Sequence, residues 1–68
     1  MLNFSDYLKS FKHENSPAGD LARDFIASKS KATTYEGVLS HLNKNDADYI
    51  AIKLLKNLKR RYDEINKN

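Results

Sequence analysis

Residues 46–66, DADYIAIKLLKNLKRRYDEIN, decide the fold of this chain. On a helical wheel of about 100° per residue, their apolar side chains gather on one broad face. That face consists of Ala47, Ile50, Ala51, Leu54, Leu55, Leu58, Tyr62 and Ile65. Because so wide an apolar face must be covered, we predict that the rest of the chain forms helices that pack on it. Leu58 lies near its centre and is predicted to be among the most buried residues.

The opposite face of the same helix is basic. Its cations are Lys53, Lys56, Arg60 and Lys67. Such a stripe is expected of a helix that meets nucleic acid or an acidic protein. It is equally typical of an ordinary solvated helix, which the i,i+4 pairs Lys59–Asp63 and Arg60–Glu64 would support.

Length and charge indicate one small domain with an uneven charge distribution. The 68 residues leave room for a single core of marginal stability. Residues 1–48 contain six Lys or Arg and seven Asp or Glu (net −1), whereas residues 49–68 contain six and two (net +4), so the basic excess behind the chain's net charge of +3 lies on the last helix. The absence of cysteine favours a reducing compartment. We find no signal-peptide pattern and no run of about 20 apolar residues, and predict a soluble cytoplasmic protein without membrane contact.

The first two helices have distinct start signals. Asn3 is predicted to cap the first helix, with Asp6 adding favourable charge in its first turn. Its inward face consists of Phe4, Tyr7, Leu8 and Phe11. Ser16 as N-cap and Pro17 at the first helical position begin the second helix, which extends to about Ala27.

The second helix has an apolar face and an unusual first turn. Its predicted inward residues are Leu21, Ala22, Phe25 and Ile26. Gly19 weakens the first turn, so we expect another backbone to approach there. Asp20 can pair with Arg23, and its carboxylate occupies the positive end of the helix dipole. This argues against a phosphate site.

A third helix follows a loop at residues 28–32. Thr33 and Glu36 form a predicted capping box, and the helix continues through Leu42. Its predicted inward face consists of Tyr35, Val38, Leu39 and Leu42. Gly37 weakens this helix.

A turn at residues 43–45 leads to the last helix, which Asn45 or Asp46 is predicted to cap, with Asp48 in the first turn. Val, Ile and Thr are few and never alternate with polar residues, so no sheet is expected. The predicted fold is all-α, a compact bundle of about four helices with a long C-terminal helix.

Residues 16–24, SPAGDLARD, are the most distinctive stretch of the chain. Three further features accompany it, namely Phe4-x-x-Tyr7-Leu8, the helix start Thr34-Tyr35-Glu36, and an apolar residue four positions before Tyr62. Together these features resemble the YozE SAM-like family of short bacterial proteins over nearly the whole chain. The resemblance implies a four-helix bundle similar to a sterile alpha motif domain, without known enzymatic activity. The chain departs from the family at residues 30–32, where an aromatic residue and proline are usual, and at Leu58, where tryptophan is frequent.

No residue pattern in the chain is typical of a catalytic, metal or cofactor site. His13 and His41 are the only histidines and lack an HExxH motif or a cysteine partner. Asp20, Asp24 and Glu36 could be paired acids, but each has a capping or salt-pair role available. The two glycines stand apart and form no phosphate-binding loop. We therefore predict a protein with no catalytic residues, metal ligands or cofactor.

Two side chains of the last helix suggest an interaction surface. Tyr49 and Ile52 lie outside the apolar face and beside Lys53 and Lys56, where they can form an exposed patch with a basic rim. The alternative is that the first helix or the preceding loop covers both. The sequence thus predicts a small non-catalytic module that binds an unidentified protein partner and is a monomer or weak homo-oligomer.

The alternative function is DNA or RNA binding through the basic stripe. Lys53, Lys56, Arg60 and Lys67 would contact phosphates, with Lys59 and Arg61 at the margins. The sequence shows no helix-turn-helix or base-stacking motif. For that reason the protein-partner hypothesis is preferred.

Overall fold

The computed structural model describes residues 2–45 and 48–66, which form four α-helices. These are α1 (Phe4–Lys9), α2 (Pro17–Ala27), α3 (Tyr35–Lys44) and α4 (Tyr49–Ile65). No strand occurs among the described residues. The predicted all-α bundle with a long C-terminal helix is therefore confirmed.

Helices α1 and α2 begin where the sequence predicts. Asn3 Oδ1 accepts a hydrogen bond from the amide of Asp6 at 2.8 Å, and Ser16 Oγ accepts one from the amide of Gly19 at 3.1 Å. Pro17 occupies the first position of α2. Each cap gives a partner to a first-turn amide that has none within its own helix.

Helix α3 begins one residue later than predicted. Thr34, and not Thr33, is the N-cap, because its Oγ1 accepts a hydrogen bond from the amide of Gly37 at 3.1 Å. Glu36 then stands at the second helical position and cannot complete the predicted capping box. The carbonyl oxygen of Thr33 instead accepts a hydrogen bond from the amide of Ser5 at 3.2 Å. This bond joins the α2–α3 loop to α1.

Helix α4 is capped by Asp48, and the prediction of Asn45 or Asp46 is wrong for Asn45. Asp48 Oδ1 accepts a hydrogen bond from the amide of Ala51 at 3.1 Å, which places the helix start at the next residue. Asn45 instead ends α3, which continues to Lys44 and so absorbs most of the predicted turn. Asp46 lies outside the described residues.

Residues 28–32 form a loop, as predicted. Lys29 within this loop has a φ of 58°, in the left-handed region, and its amide donates a hydrogen bond to the carbonyl oxygen of Ile26 at 3.1 Å. A left-handed residue immediately after the C-cap is a common way to end a helix. Lys29 thus turns the chain away from α2.

The first turn of α2 packs closely on the loop before it. A Cβ atom on Gly19 would overlap the carbonyl oxygen of Glu14, which confirms the predicted close approach of another backbone. The Arg23 guanidinium donates to the carbonyl oxygens of Lys12 and Glu14 at 2.9 and 3.0 Å. It also forms the predicted ion pair with Asp20. The start of α2 is therefore held by backbone contacts as well as by its cap.

Helices α1 and α4 each contact all three other helices. Buried side chains form one cluster, consisting of Phe4, Tyr7, Leu8, Leu21, Ala22, Phe25, Val38, Leu42, Leu55 and Leu58. Leu58 is 2% exposed, so the prediction that it is among the most buried residues is confirmed. The amphipathic pattern of α4 correctly identifies the centre of the core.

Aromatic side chains of α1, α3 and α4 meet around Phe4. Its ring packs edge-on against Tyr35 and Tyr62, with centroid distances of 5.3 and 5.4 Å. Tyr7 also packs on Tyr62, at 5.5 Å. The Tyr62 hydroxyl donates a hydrogen bond to the carbonyl oxygen of Leu2 at 2.7 Å. These contacts fix the C-terminal half of α4 to the N-terminal segment of the chain.

Three isoleucines that the sequence assigns to apolar faces are exposed. Ile26 is 39% exposed, Ile50 72% and Ile65 68%. Ile26 lies at the edge of its apolar arc, while Ile50 and Ile65 occupy the first and last turns of α4, to either side of the core. Ala47 lies outside the described residues. The buried part of α4 is thus shorter and narrower than its apolar pattern.

Candidate interaction surface

The exposed face of α4 presents an aromatic residue followed by three cations. Tyr49, Lys53, Lys56 and Arg60 are all exposed, and we call these four residues the Tyr49 stripe. Their spacing of i, i+4, i+7 and i+11 places them in one row along the helix. Lys67, the fourth predicted cation, lies outside the described residues. The predicted basic face is thus seen as a stripe of three cations with Tyr49 at its N-terminal end.

Of the predicted patch of Tyr49 and Ile52, Tyr49 is exposed, whereas Ile52 is partly covered, as the alternative has it. Ile52 is half-buried and packs against the core, whereas Tyr49 is 77% exposed. Its exposed apolar neighbour is Ile50, which the helical wheel assigned to the core. Within the first turn of α4, Ala51 and Ile52 pack against the core, whereas Tyr49 and Ile50 remain exposed.

The cations of the stripe have no ion-pair partner among the described residues. The predicted Arg60–Glu64 pair does not form, and the pairs that do form are Lys59–Asp63 and Arg23–Asp20. Lys53, Lys56 and Arg60 therefore direct their charge into solvent. Exposed charges of one sign raise the local concentration of oppositely charged partners and speed their association.

Lys59, expected at the margin of the basic stripe, belongs instead to the structural contacts of α4. Its ammonium group lies 2.6 Å from an oxygen of Asp63 and 5.6 and 6.0 Å from the ring centroids of Tyr35 and Tyr62. The hydrogen bond to Asp63 raises the pKa of Lys59 above its ordinary value. Arg61, at the other margin, is exposed.

A second surface feature lies where α2 meets the start of α4. Two cavities of about 480 and 250 Å³ adjoin there, and they share the lining residues Leu21, Asp24, Asp48 and Ala51. Because they share these residues, we treat them as two ends of one depression and call it the α2–α4 groove. The larger end reaches His41 on α3, and the smaller end reaches Ile50 and Leu54 on α4.

The acids of the groove have different local roles. Asp20 pairs with Arg23, and Asp48 caps α4. Asp24 was expected to have a salt-pair or capping role, but among the described residues it forms neither an ion pair nor a side-chain hydrogen bond. The groove cannot be read from the sequence, because its acids lie on two helices that are distant in sequence.

The two histidines lie in different settings. His13 is exposed in a turn, and His41 is partly buried on α3. His41 Nε2 lies 2.9 Å from Ser28 Oγ and 3.1 Å from Asn45 Nδ2. Within residues 2–45 and 48–66, no three side chains of the types that bind metals come together. The contacts of His41 link the end of α2 to the end of α3.

None of the described helices is long and apolar enough to cross a membrane. Comparison with protein-family models, curated proteins and solved structures gives no match to this chain. The interpretation of its surface therefore depends on the geometry described above.

Proposed function

We propose that this protein is a small non-catalytic interaction module that binds an acidic protein partner through the Tyr49 stripe. The observation that carries the proposal is the 77% exposure of Tyr49 in line with three exposed cations that form no ion pair within residues 2–45 and 48–66. A tyrosine ring exposed to this extent contributes little to the stability of the fold, whereas in an interface the same ring would bury a large apolar area.

The composition of the stripe suits the centre of a protein interface. Tyrosine and arginine are enriched among the residues that contribute most to binding, because they combine a large contact area with hydrogen-bonding groups. Ile50 extends the apolar area beside Tyr49, as it is 72% exposed. Lys53 and Lys56 would form a polar rim that steers an acidic partner into place.

Other parts of the proposal remain predictions from the sequence. The resemblance to the YozE SAM-like family agrees with a non-catalytic helical module. The cytoplasmic location follows from the lack of cysteine. The monomeric or weakly oligomeric state is a prediction of the same kind.

A photo-crosslinking amino acid at position 49 tests the proposal. A matched variant with the same amino acid at position 40 serves as the control, since Ser40 is exposed on α3 and does not belong to the Tyr49 stripe. In an extract of the source cells, position 49 is expected to give a discrete adduct that protease removes and nuclease does not. A nuclease-sensitive adduct, or the same adducts from both positions, would refute the proposal.

Nucleic-acid binding is the second candidate, because Lys53, Lys56 and Arg60 are equally available to phosphates. Three such contacts predict a slope of log K against log[salt] of about −2.7 on duplex DNA. A fluorescence-anisotropy titration of labelled duplex DNA with the protein, repeated at several salt concentrations, distinguishes the two functions. A Lys56→Glu, Arg60→Glu variant is the control. DNA binding at physiological salt with that slope, lost in a variant that is still folded, would favour the second candidate.

A further inference from the structure

The α2–α4 groove lies on a different side of α4 from the stripe cations and has the opposite charge. Three acids line it, namely Asp20, Asp24 and Asp48. No Lys or Arg lines either end of the groove in the part of the chain that the structure describes. A concave surface with acids and without cations concentrates a negative potential, which attracts cationic groups.

The lining between the acids is largely apolar. The larger end includes Leu21, Phe25 and Leu42, and the smaller end includes Leu54 and the exposed Ile50. Apolar surface flanked by charges of one sign is typical of a site that binds an amphipathic segment of opposite charge. The apolar side chains of such a segment lie in the groove, and its charged side chains lie at the edge.

We propose that the α2–α4 groove is the docking site for a basic amphipathic segment of a partner protein. Apolar side chains of that segment would contact Ile50 and Leu54, while a Lys or Arg would face Asp24. Of the three acids, Asp24 is the one that a ligand can use without cost to the fold, because Asp20 already pairs with Arg23 and Asp48 caps α4. This site does not depend on the Tyr49 stripe and attracts ligands of the opposite charge.

Charge reversal at Asp24 is a specific test of this site, and Glu64 provides a matched control. Both acids are exposed, both stand in the last turn of a helix, and neither forms an ion pair within the described residues. Lysine is favoured in a last turn by the helix dipole, so both Asp24→Lys and Glu64→Lys are expected to remain folded. The two variants also have the same net charge, which removes the effect of overall electrostatics.

The probe is a short helical peptide made only of Leu and Lys in amphipathic order, added to ¹⁵N-labelled protein at physiological salt. We expect shifts in the amide signals of Leu21, Asp24, Ala51 and Leu54. Asp24→Lys should weaken binding roughly tenfold or more, because it replaces an attractive charge pair by a repulsive one. Glu64→Lys should have little effect. A control peptide with Glu in place of Lys should leave the groove signals unchanged.

Three outcomes would overturn the proposal. The first is a dissociation constant for the Lys peptide weaker than about 1 mM. The second is an equal loss of affinity in both variants, which would show only a response to net charge. The third is a concentration-dependent shift of the groove signals without peptide that Asp24→Lys abolishes, since the occupant would then be a second copy of this chain.

Discussion

Tyr49 and Tyr62 stand at opposite ends of α4 and have opposite surroundings. Tyr62 packs on the rings of Phe4 and Tyr7, and its hydroxyl donates a hydrogen bond to the Leu2 carbonyl oxygen. Tyr49 is 77% exposed and makes no ring–ring contact among the described residues. The same side chain therefore has a structural role at one end of the helix and none that we can identify at the other.

The charged residues of α4 follow the same division. Lys59, one turn before Tyr62, is paired with Asp63 and lies beside two tyrosine rings. Lys53, one turn after Tyr49, has no ion pair in the described part of the chain. Lys59 thus contributes to the fold through contacts with its neighbours, and Lys53 does not. Tyr49 and Lys53 make no such contacts among the described residues, and this is the physical ground for proposing a binding surface there.

The largest expected effect is on the stability of the core, beneath the C-terminal half of α4. Leu58→Ala should lower the free energy of unfolding by about 2–5 kcal/mol, because Leu58 is 2% exposed and truncation leaves a cavity. A loss of this size is a large share of the stability of a small domain. Thermal unfolding followed by circular dichroism measures it. An unchanged melting temperature would show that Leu58 does not lie at the centre of the core.

The next effect tests whether the start of α2, beside the groove, is structural. Ser16→Ala should lower the free energy of unfolding by about 0.5–2 kcal/mol, since it removes the side-chain acceptor of the Gly19 amide. Urea unfolding measures the change. The control is Ser40→Ala at an exposed position within α3, expected to stay within about 0.5 kcal/mol of wild type. Equal stability of both variants would remove the capping role from Ser16.

A smaller effect distinguishes the two tyrosine hydroxyls. Tyr62→Phe should lower the free energy of unfolding by about 0.5–1.5 kcal/mol, because it deletes the hydrogen bond to the Leu2 carbonyl oxygen. Tyr49→Phe is the matched change at the exposed end and should have no measurable effect. Urea unfolding of both variants measures the two changes in the free energy of unfolding. If the two changes had equal effects on stability, the contrast between the ends of α4 would be lost.

The sequence predicts the local features of this fold well. The caps Asn3 and Ser16, the close approach at Gly19 and the burial of Leu58 follow from rules that need only neighbouring residues. The start of α3 needs more. Thr33 and Thr34 are adjacent and chemically equivalent, so local rules cannot choose between them as the N-cap. In the structure Thr34 is the N-cap, and the carbonyl oxygen of Thr33 accepts a long-range hydrogen bond from the amide of Ser5.

The surface was harder to predict for the same reason. A helical wheel does not show where the other helices lie, so it cannot reveal that Ile50 is exposed while Ile52, in the same turn, meets the core. The α2–α4 groove depends on the packing of two helices, which brings Asp24 near Asp48. Sequence spacing reveals neither result, because both depend on tertiary packing.

The most direct test of the central claim compares wild type with Tyr49→Ala. Two quantities are measured in one buffer, the dissociation constant for the purified protein captured at position 49 and the free energy of unfolding. We predict that affinity falls by roughly tenfold or more, as expected for an aromatic residue at the centre of an interface. Stability should stay within about 0.5 kcal/mol of wild type, because Tyr49 is exposed. Unchanged affinity, or a loss of stability of about 2 kcal/mol as for a core residue, would contradict the account.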